Sequence, residues 1–592
     1  MTSLQNYLIA DVISSETLDR IVFRPRDRNE ARALSEIIAK CIPDGRVSRS
    51  ADGIAVPAEL CHQLFDINLA ADLRWTSEAE VFVKNRHFIR TSHPQLQEEI
   101  RRITSGNRAL SECYLEDVDG LGVLDDHQLK NVAAMTLPGG YGLCVFDEQG
   151  TGKTITLIFA FDGLVSRDQA DLALIVAPKS MIPEWQRDFV RFKQDLYKVE
   201  LLVGDQHQKR KAIRSGADVL VTNYETAVSL EPELRTLLRR HQGRAILAVD
   251  ESFYIKNLDA KRTRALRRLR EWCGRAFVLC GTPAPNSAND VIEQFNIVDC
   301  GVVFGGIAIP DDKAIAREIV QHRVENHGLY VRSLKTEVLP DLPAKRFSSV
   351  LVRLEPQQEK LYESVLKDLV LGLQNVDDEG FRKQYASFLA KRTALFQICS
   401  NPIALFSHYD ETAAKLHALD ELLEDLIERN GEKVVVWSFY TSSLSAIVSR
   451  YGRFNPVRYD GSVTDVRERR EAVRKFQEDD DTMLFVGNPA AAGAGLTLHS
   501  ARFAIYESMS NQTAHYLQSL DRIHRRGQSK SVEHLILLCD GTIEIGAYKR
   551  LTEKESEAQE LFKDRVDEPF TRQVMLTEVL AGGRHLVDQS ES

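Results

Sequence analysis

The stretch LCVFDEQGTGKT, residues 143–154, decides the fold class. It begins with an apolar run typical of a buried strand. A glycine-containing turn follows, then Lys153, Thr154 and the apolar helical run ITLIFAF. Glycines in such a turn let backbone N–H groups close on phosphate oxygens at a helix N-terminus, where the helix dipole also favours anions. The stretch therefore predicts a phosphate-binding loop between a strand and a helix of an α/β domain.

The turn supplies the candidates for nucleotide contact. We expect the lysine to reach the β- and γ-phosphates and the threonine hydroxyl to ligate Mg²⁺. Asp147 stands where the common pattern has its first glycine, so the match is imperfect, and a structural glycine turn is the alternative interpretation. The candidates are Gly150, Thr151, Gly152, Lys153 and Thr154.

A second motif, AILAVDESFYIKN at residues 245–257, is an apolar strand that ends directly in Asp250 and Glu251. Adjacent carboxylates at a strand end suit phosphoryl transfer, with Asp250 holding Mg²⁺ and Glu251 polarising the attacking water. Taken alone, such a pair is more often a solvated loop. Its position roughly one hundred residues after the phosphate loop favours the catalytic interpretation.

A third motif, QSLDRIHRRGQ at residues 518–528, carries Arg522 and Arg525 on one side of a helix or turn. Guanidinium groups bind phosphate oxygens in a fork and can stabilise transition-state charge. A solvated basic turn is the alternative.

Around these motifs, short β-branched runs alternate with helical stretches, which favours parallel sheets with crossover helices. Before them, RIVFRP, GIAVPA and AEVFVK are strand-like, and ARALSEIIAKCI is helical. We predict an α/β fold with two parallel-sheet lobes, a helical insertion between them and a small N-terminal α+β module. The predicted limits are 1–115 for the module, 116–300 for lobe one, 301–410 for the insertion and link, 411–560 for lobe two, and 561–592 for a tail.

Composition bounds the class of protein. Of the 592 residues, 43% are hydrophobic and 27% charged, which is typical of a globular protein and excludes collagen-like or wholly disordered chains. The apolar runs are too short to cross a bilayer, and we expect no signal peptide and no membrane partner. Nine cysteines without a CxxC pair favour a reduced compartment, so we expect a cytoplasmic protein, or a nuclear one if the source is eukaryotic.

The net charge of −10 argues against passive coating of nucleic acid but leaves a locally basic groove open. Basic residues cluster within 261–270 and within 24–28. A solvated helix face is an equally good interpretation of each cluster.

Several motifs in order carry a family resemblance: DEQGTGKT, VAPKSMIPEW, VTNYE, DESFYIKN, LCGTPAPN, SNPIALF, YDGS, AAGAGLTL and QSLDRIHRRGQ. Over roughly residues 120–545 the chain resembles the Swi/Snf-type family of helicase superfamily two. The resemblance implies two RecA-like lobes that bind ATP and Mg²⁺ between them, contact duplex DNA and translocate along it.

The resemblance also implies residue roles. Gln128 would contact the adenine, and Gly493 and Gly495 would complete the ATP site from the second lobe together with Arg522 and Arg525. Residues in motifs that line the DNA track in relatives are Lys179, Asn223, Tyr224, Thr282 and Ser438. For Tyr224 and Ser438, a plain strand-end role is an equally good interpretation.

The sequence departs from the family pattern at three places. Phe253 stands where the family usually has histidine, Asp125 to His127 replace residues that are commonly basic or aromatic, and Ser510 to Gln512 replace Trp-Asn-Pro. We predict that Phe253 packs under the Thr282 loop and, with Gln518, couples the ATP site to the DNA track. A plain core phenylalanine is the alternative.

The leading functional hypothesis is a DNA-stimulated ATPase that translocates on duplex DNA and remodels DNA or protein–DNA complexes. A second is a motor that works with a nuclease or modification partner in trans, as in restriction, antiviral defence or repair systems. A third, of another class, is a nucleotide-gated scaffold that does not translocate.

Overall fold

The computed structural model falls into two units, Met1–Val338 and Leu339–Ser592. The division after Val338 lies inside the stretch predicted as insertion and link, and the sequence-based domain limits stay predictions. The residues that the structure describes are 8–12, 20–25, 27–42, 47–50, 53–57, 60, 63, 73–284, 288–310, 312–463, 466–491, 496–508 and 513–560. The predicted tail therefore lies outside them.

A small mixed sheet opens the first unit. Its strand order is β3-β4-β2-β1-β5, antiparallel except for the parallel pair β1–β5. One helix, α1 (Arg28–Cys41), starts at Asp27, whose carboxylate accepts from the backbone N–H of Asn29. The strands are β1 (Leu8–Val12), β2 (Arg20–Arg24), β3 (Ser48–Ser50), β4 (Gly53–Pro57) and β5 (Leu73–Trp75).

The strand predicted at AEVFVK is wrong, because these residues belong to the long helix α2 (Ser77–Ser105). Ala79, Phe82 and Val83 are buried at helical spacing, and this 3–4 period prevails over the β-branched composition. A partly buried ion pair between Arg86 and Glu271, with Nη1–Oε2 at 2.7 Å, joins this helix to the α/β part of the same unit.

The main sheet of the first unit has seven parallel strands in the order β12-β6-β11-β10-β7-β9-β8. Its five central strands are buried along their whole length, which explains their continuous apolar sequences. The strands are β6 (Gly142–Val145), β7 (Leu172–Val176), β8 (Val199–Leu201), β9 (Val219–Thr222), β10 (Ala245–Asp250), β11 (Arg275–Leu279) and β12 (Tyr330–Val331).

Helices connect these strands and cover the sheet. In chain order they are α3 (Arg108–Cys113), α4 (Asp126–Met135), α5 (Lys153–Ser166), α6 (Ile182–Lys193), α7 (Gln206–Ile213), α8 (Tyr224–Ser229), α9 (Glu231–Arg240), α10 (Lys261–Arg270), α11 (Ile292–Asp299), α12 (Lys313–His327) and α13 (Lys335–Val338).

The second unit holds a six-stranded parallel sheet in the order β13-β18-β17-β14-β16-β15. Its strands are β13 (Lys345–Val352), β14 (Val434–Trp437), β15 (Val457–Tyr459), β16 (Leu484–Gly487), β17 (Phe503–Tyr506) and β18 (Val532–Cys539). Its helices are α14 (Pro356–Gln374), α15 (Asp378–Ser400), α16 (Ala414–Leu423), α17 (Thr441–Arg450), α18 (Val466–Glu478), α19 (Thr513–Leu520) and α20 (Ile543–Glu560).

Two parallel-sheet α/β units with a small N-terminal sheet confirm the predicted fold class. Within the first unit, β11 lies between β6 and β10, so the loops that follow these three strands meet at one edge of the sheet. This carboxyl edge is where open parallel sheets bind ligands. In the part of the chain that the structure describes, no helix combines the length and apolarity needed to span a membrane.

Candidate active site

The phosphate loop joins the buried strand β6 to helix α5. Gly150 and Gly152 have φ angles of 86° and 97°, in the left-handed region that side chains with a Cβ avoid. At Gly152 the space is also closed, because a Cβ there would lie 2.2 Å from Nε2 of Gln128. The loop conformation therefore depends on glycine, as the sequence pattern predicts.

Gln128 lies on the first turn of α4 and holds this loop. Its Nε2 donates to the carbonyl of Thr151 at 2.8 Å, and its Oε1 accepts from the backbone N–H of Asp125 at 3.0 Å. Nε2 of His127 lies 2.9 Å from the same Thr151 carbonyl. The structure thus places Gln128 beside the phosphate loop, and its contact with adenine stays a prediction.

Lys153, the first residue of α5, is buried with its ammonium inside the loop. Nζ donates to the carbonyls of Asp147 and Glu148 at 2.8 and 3.0 Å. Thr151 is buried and its hydroxyl donates to the Glu148 carbonyl, whereas Thr154 is partly exposed. The loop therefore presents a cation and a hydroxyl at one helix N-terminus, an arrangement that suits phosphate.

The acidic strand end lies at the same edge of the sheet. Asp250 accepts two hydrogen bonds at 3.0 Å, one from Nε1 of Trp185 and one from the backbone N–H of Glu251. Burial, and then the neighbouring Glu251 charge, raise the pKa of Asp250 above its usual range. A cation near this pair would relieve both effects.

Glu251 brings the two motifs together. Its Oε1 accepts from Nε2 of Gln149, in the phosphate loop, at 2.5 Å. Its Oε2 is buried and has no hydrogen-bond partner among the residues that the structure describes. The backbone of Glu251 is left-handed, with φ 52°, a strained conformation for a residue with a Cβ. A buried carboxylate oxygen without a partner is suited to bind water or a metal-bound ligand.

The residues predicted to line a DNA track differ in their exposure. Lys179 is exposed, and Asn223 and Thr282 are partly exposed. Tyr224 is buried, and its hydroxyl donates to the Asp250 carbonyl at 2.6 Å. Ser438, in the second unit, is buried too. The hydroxyls of Tyr224 and Ser438 are thus hydrogen-bonded inside the protein. The DNA roles of all five residues stay predictions.

The predicted coupling residues are both buried. Phe253 packs on the ring of Tyr254, with centroids 4.6 Å apart, and Gln518 lies in α19. Sequence reasoning missed Gln294, a fully buried glutamine. Its side chain bonds to Ser252, in the loop of residues 251–255 after β10 (the acidic loop), and to Pro283, in the turn after β11. The signal was Gln294 among Val291, Phe295 and Val298 of the stretch VIEQFNIV, since a glutamine is unusual at a core position unless its amide is hydrogen-bonded.

In the second unit, the guanidinium of Arg522 is buried, and Nη1 donates to the Leu496 carbonyl at 3.3 Å. Arg525 is partly exposed and donates to Oγ1 of Thr497 at 3.0 Å. The predicted Gly493 and Gly495, and the departure at 510–512, lie outside the described residues. The roles assigned to the two arginines stay predictions.

The basic cluster in α10 is largely engaged within the first unit. Arg267 and Arg268 pair with Glu293 and Glu231, at 3.0 and 3.2 Å. Arg270 is buried and donates to the four backbone carbonyls of Tyr141, Cys273, Ile297 and Val298. For these three arginines the structure favours an internal role over a free basic surface.

Two family models match the chain. The SNF2-related domain matches residues 127–404, and the helicase conserved C-terminal domain matches residues 414–527. The first covers the phosphate loop and the acidic strand end, and the second covers the arginine motif.

Curated relatives agree with these matches. A Xenopus tropicalis SWI/SNF-related regulator of chromatin, subfamily A containing DEAD/H box 1, is 25% identical over 515 residues, which cover 75% of this chain and 49% of the relative. A Bacillus subtilis protein named putative ATP-dependent helicase/translocase YwqA is 28% identical over 430 residues, covering 68% and 45%. The chain spans about half the length of the curated relatives it matches.

Among solved structures, the chain matches a Sulfolobus solfataricus SWI2/SNF2 ATPase core in complex with dsDNA, at 20% identity and a TM-score of 0.36, over 75% of this chain and 97% of that one. The SNF2-related match begins in the first unit and extends past Val338 into the second, and the two family models together give the assignment. Over the matched residues 127–404 and 414–527, the chain belongs to the Swi/Snf-type family of helicase superfamily two.

Proposed function

We propose that the protein uses ATP hydrolysis to translocate along double-stranded DNA. The observation that carries the proposal is the hydrogen bond between Gln149 and Glu251, because it joins the phosphate loop to the acidic strand end. The name of the Bacillus subtilis relative, an ATP-dependent helicase/translocase, supports the same class of activity.

In this proposal, the chain's own groups prepare hydrolysis in the first unit. Lys153 exchanges its bonds to the loop carbonyls for bonds to the ATP phosphates. Glu251, fixed at Oε1 by Gln149, uses Oε2, which has no partner among the described residues, to accept a proton from the attacking water. Orientation of that water is the contribution we assign to this carboxylate.

The residues at the site fit Mg²⁺, which prefers oxygen ligands and few protein contacts. Asp250 and the Thr154 hydroxyl would hold it. The raised pKa of Asp250, which burial and Glu251 cause, indicates a carboxylate pair that gains from a nearby cation. When bound, the ion neutralises charge on the phosphates.

For the DNA contact, the exposed Lys179 is the strongest candidate, because an unburied ammonium can neutralise a backbone phosphate. Asn223 and Thr282 lie after β9 and β11, at the carboxyl edge of the same sheet. We place the first-unit part of the DNA track along these loop ends.

The deciding experiment measures ATP hydrolysis without DNA, with single strands and with duplex, using the full chain. We expect strong stimulation by duplex DNA, and displacement of a triplex-forming strand from a duplex in an ATP-dependent manner. Equal hydrolysis under all three conditions would contradict translocation and favour a nucleotide-gated scaffold.

A matched pair of variants tests the site itself. Lys153→Ala removes the phosphate-binding cation, and we expect it to abolish both hydrolysis and triplex displacement. Lys193→Ala is the control, because this lysine is also buried but pairs with Asp162 at 2.6 Å, through a carboxylate outside the site. Near-normal turnover in Lys153→Ala would overturn the assignment.

A further inference from the structure

Gln294 is a buried amide in the middle of helix α11. The residue has no exposed surface, and its helix lies under the edge of the sheet where the loops after β10 and β11 meet. An amide buried without hydrogen bonds is destabilising, so its bonding partners matter.

The side chain of Gln294 bridges two loops. Its Oε1 accepts from the Ser252 hydroxyl at 2.5 Å, one residue after Glu251. Its Nε2 donates to the Pro283 carbonyl at 2.5 Å and to the Asp290 carbonyl at 2.8 Å. Both amide protons are used, so the side chain is fixed between the acidic loop and the turn Gly281–Pro283.

A second contact closes the connection into a ring. Gly281 lies so near the phosphate loop that a Cβ on it would come 2.7 Å from Cγ of Gln149. Gln149 in turn donates to Glu251, the neighbour of Ser252. The phosphate loop, the acidic loop and the turn therefore each contact the other two. The contact between the acidic loop and the turn is made by the side-chain hydrogen bonds of Gln294.

The left-handed backbone of Glu251 makes the acidic loop the strained member of this ring. If phosphate oxygens took the place of the loop carbonyls on Lys153, a shift of the phosphate loop would act on Glu251 through its bond to Gln149. Ser252 follows Glu251 in the chain, and Gln294 bonds Ser252 to the Pro283 carbonyl, so the same shift would act on the turn, because breaking a buried hydrogen bond is unfavourable.

We propose that Gln294 is a positioning residue that transmits nucleotide occupancy from the acidic loop to the turn Gly281–Pro283. The nucleic-acid part of this inference, in which the turn carries Thr282 toward DNA, rests on the proposed function. Phe253 then contributes packing, and the directional link comes from Ser252 and Gln294.

Hydrogen–deuterium exchange of the full chain tests the transmission without DNA. The probe is a non-hydrolysable ATP analogue with Mg²⁺, and the readout is amide exchange in peptides that contain Gly281 to Ala284. In the unchanged protein we expect the analogue to slow this exchange severalfold. In Gln294→Leu we expect the effect of the analogue on the turn to disappear, while phosphate-loop peptides remain protected.

Two further variants keep the test decisive. Asn296→Leu is the matched control, because this buried amide on the same helix donates to Glu293, at 2.9 Å, and it should keep the effect on the turn. Ser252→Ala removes a single hydroxyl and should lose the effect even if Gln294→Leu does not fold. Unchanged protection of the turn in Ser252→Ala or in folded Gln294→Leu would overturn the inference, as would its absence in the unchanged protein.

A second readout separates this inference from the proposed function. The ratio of ATP turnover with and without duplex DNA should fall severalfold in Gln294→Leu, with basal turnover and KM for ATP within about twofold. No stimulation in the unchanged protein would contradict translocation while leaving the exchange result valid. Stimulation that survives in Gln294→Leu would overturn the coupling role.

Discussion

Each unit buries a pair of acidic side chains close to the carboxyl end of its parallel sheet, and the two pairs are bonded differently. In the first unit, Glu251 accepts one bond from Gln149 and keeps Oε2 without a partner among the described residues. In the second unit, Glu507 accepts from Ser400 at one oxygen and from Ser438 at the other.

The second acid of the later unit, Glu544, is also fully bonded. Its Oε1 accepts from Nζ of Lys415 at 2.7 Å and its Oε2 from the backbone N–H of Cys539 at 2.9 Å. Lys415 itself is fully buried. A carboxylate with both oxygens occupied stabilises a fold, whereas one with an open oxygen can receive water or a ligand. The comparison singles out Glu251 for chemistry and gives Glu507 and Glu544 a structural role, while Asp250 accepts one bond at each oxygen and would have to exchange one of them to hold a cation.

The largest effect should come from Glu251→Gln. The amide preserves shape but cannot accept a proton, so kcat should fall by about 10²–10⁴ while ATP binding persists. Steady-state turnover and nucleotide titration measure the two. Near-normal turnover would remove the distinction between the carboxylate pairs.

Glu544→Gln should instead act on stability. It removes the ion-pair partner of the buried Lys415 ammonium, and breaking such a pair lowers the free energy of unfolding by about 3–5 kcal/mol. We expect a lower melting temperature and, at a temperature where the variant is folded, ATP turnover within about twofold. A specific loss of kcat in a fully folded variant would show that this carboxylate also serves the chemistry.

We expect His534 to make the stability of the second unit sensitive to acid. His534 is buried in β18, stacked on Phe347, and burial lowers its pKa from 6.5 to about 3. The folded state therefore resists protonation. Stability is complete above pH 6.5 and decreases as the pH falls toward 3, by about 1.4 kcal/mol per unit, or about 2 kcal/mol by pH 5. Melting temperatures of the protein and of His534→Phe across pH 5–8 measure this, and parallel curves would contradict it.

The smallest effect should come from Gln149→Met, which keeps the shape of the side chain but loses the bond to Glu251. We expect kcat to fall on the order of tenfold, equivalent to ~1.4 kcal/mol, with KM for ATP little changed. A rise in KM at constant kcat would show that Gln149 serves nucleotide binding instead of the orientation of Glu251.

The sequence was sufficient for the parallel strands and for the loops that follow them, because buried parallel strands have continuous apolar runs and the loop motifs stand directly after them. It failed at AEVFVK, where local composition suggested a strand and the tertiary burial of Ala79, Phe82 and Val83 selects a helix. Local composition reflects only neighbours along the chain, whereas the choice between strand and helix here depends on tertiary burial.

The side-chain bonds were beyond the sequence for the same reason. The bond between Ser252 and Gln294 joins residues from different elements, and the inward hydroxyl of Tyr224 depends on how α8 packs beside β10. Likewise, nothing in the run of arginines in α10 distinguishes Arg270, which bonds four backbone carbonyls, from an exposed neighbour.

The close approach of Gly152 to Gln128 has an evolutionary consequence. A side chain at position 152 would meet Nε2 of Gln128 at 2.2 Å and would also need an unfavourable φ of 97°. A smaller residue at position 128 would remove the hydrogen bond that Gln128 donates to the Thr151 carbonyl. The φ at position 152 disfavours a side chain whatever residue stands at position 128. Descendants of the sequence should therefore keep Gly152 even where position 128 changes.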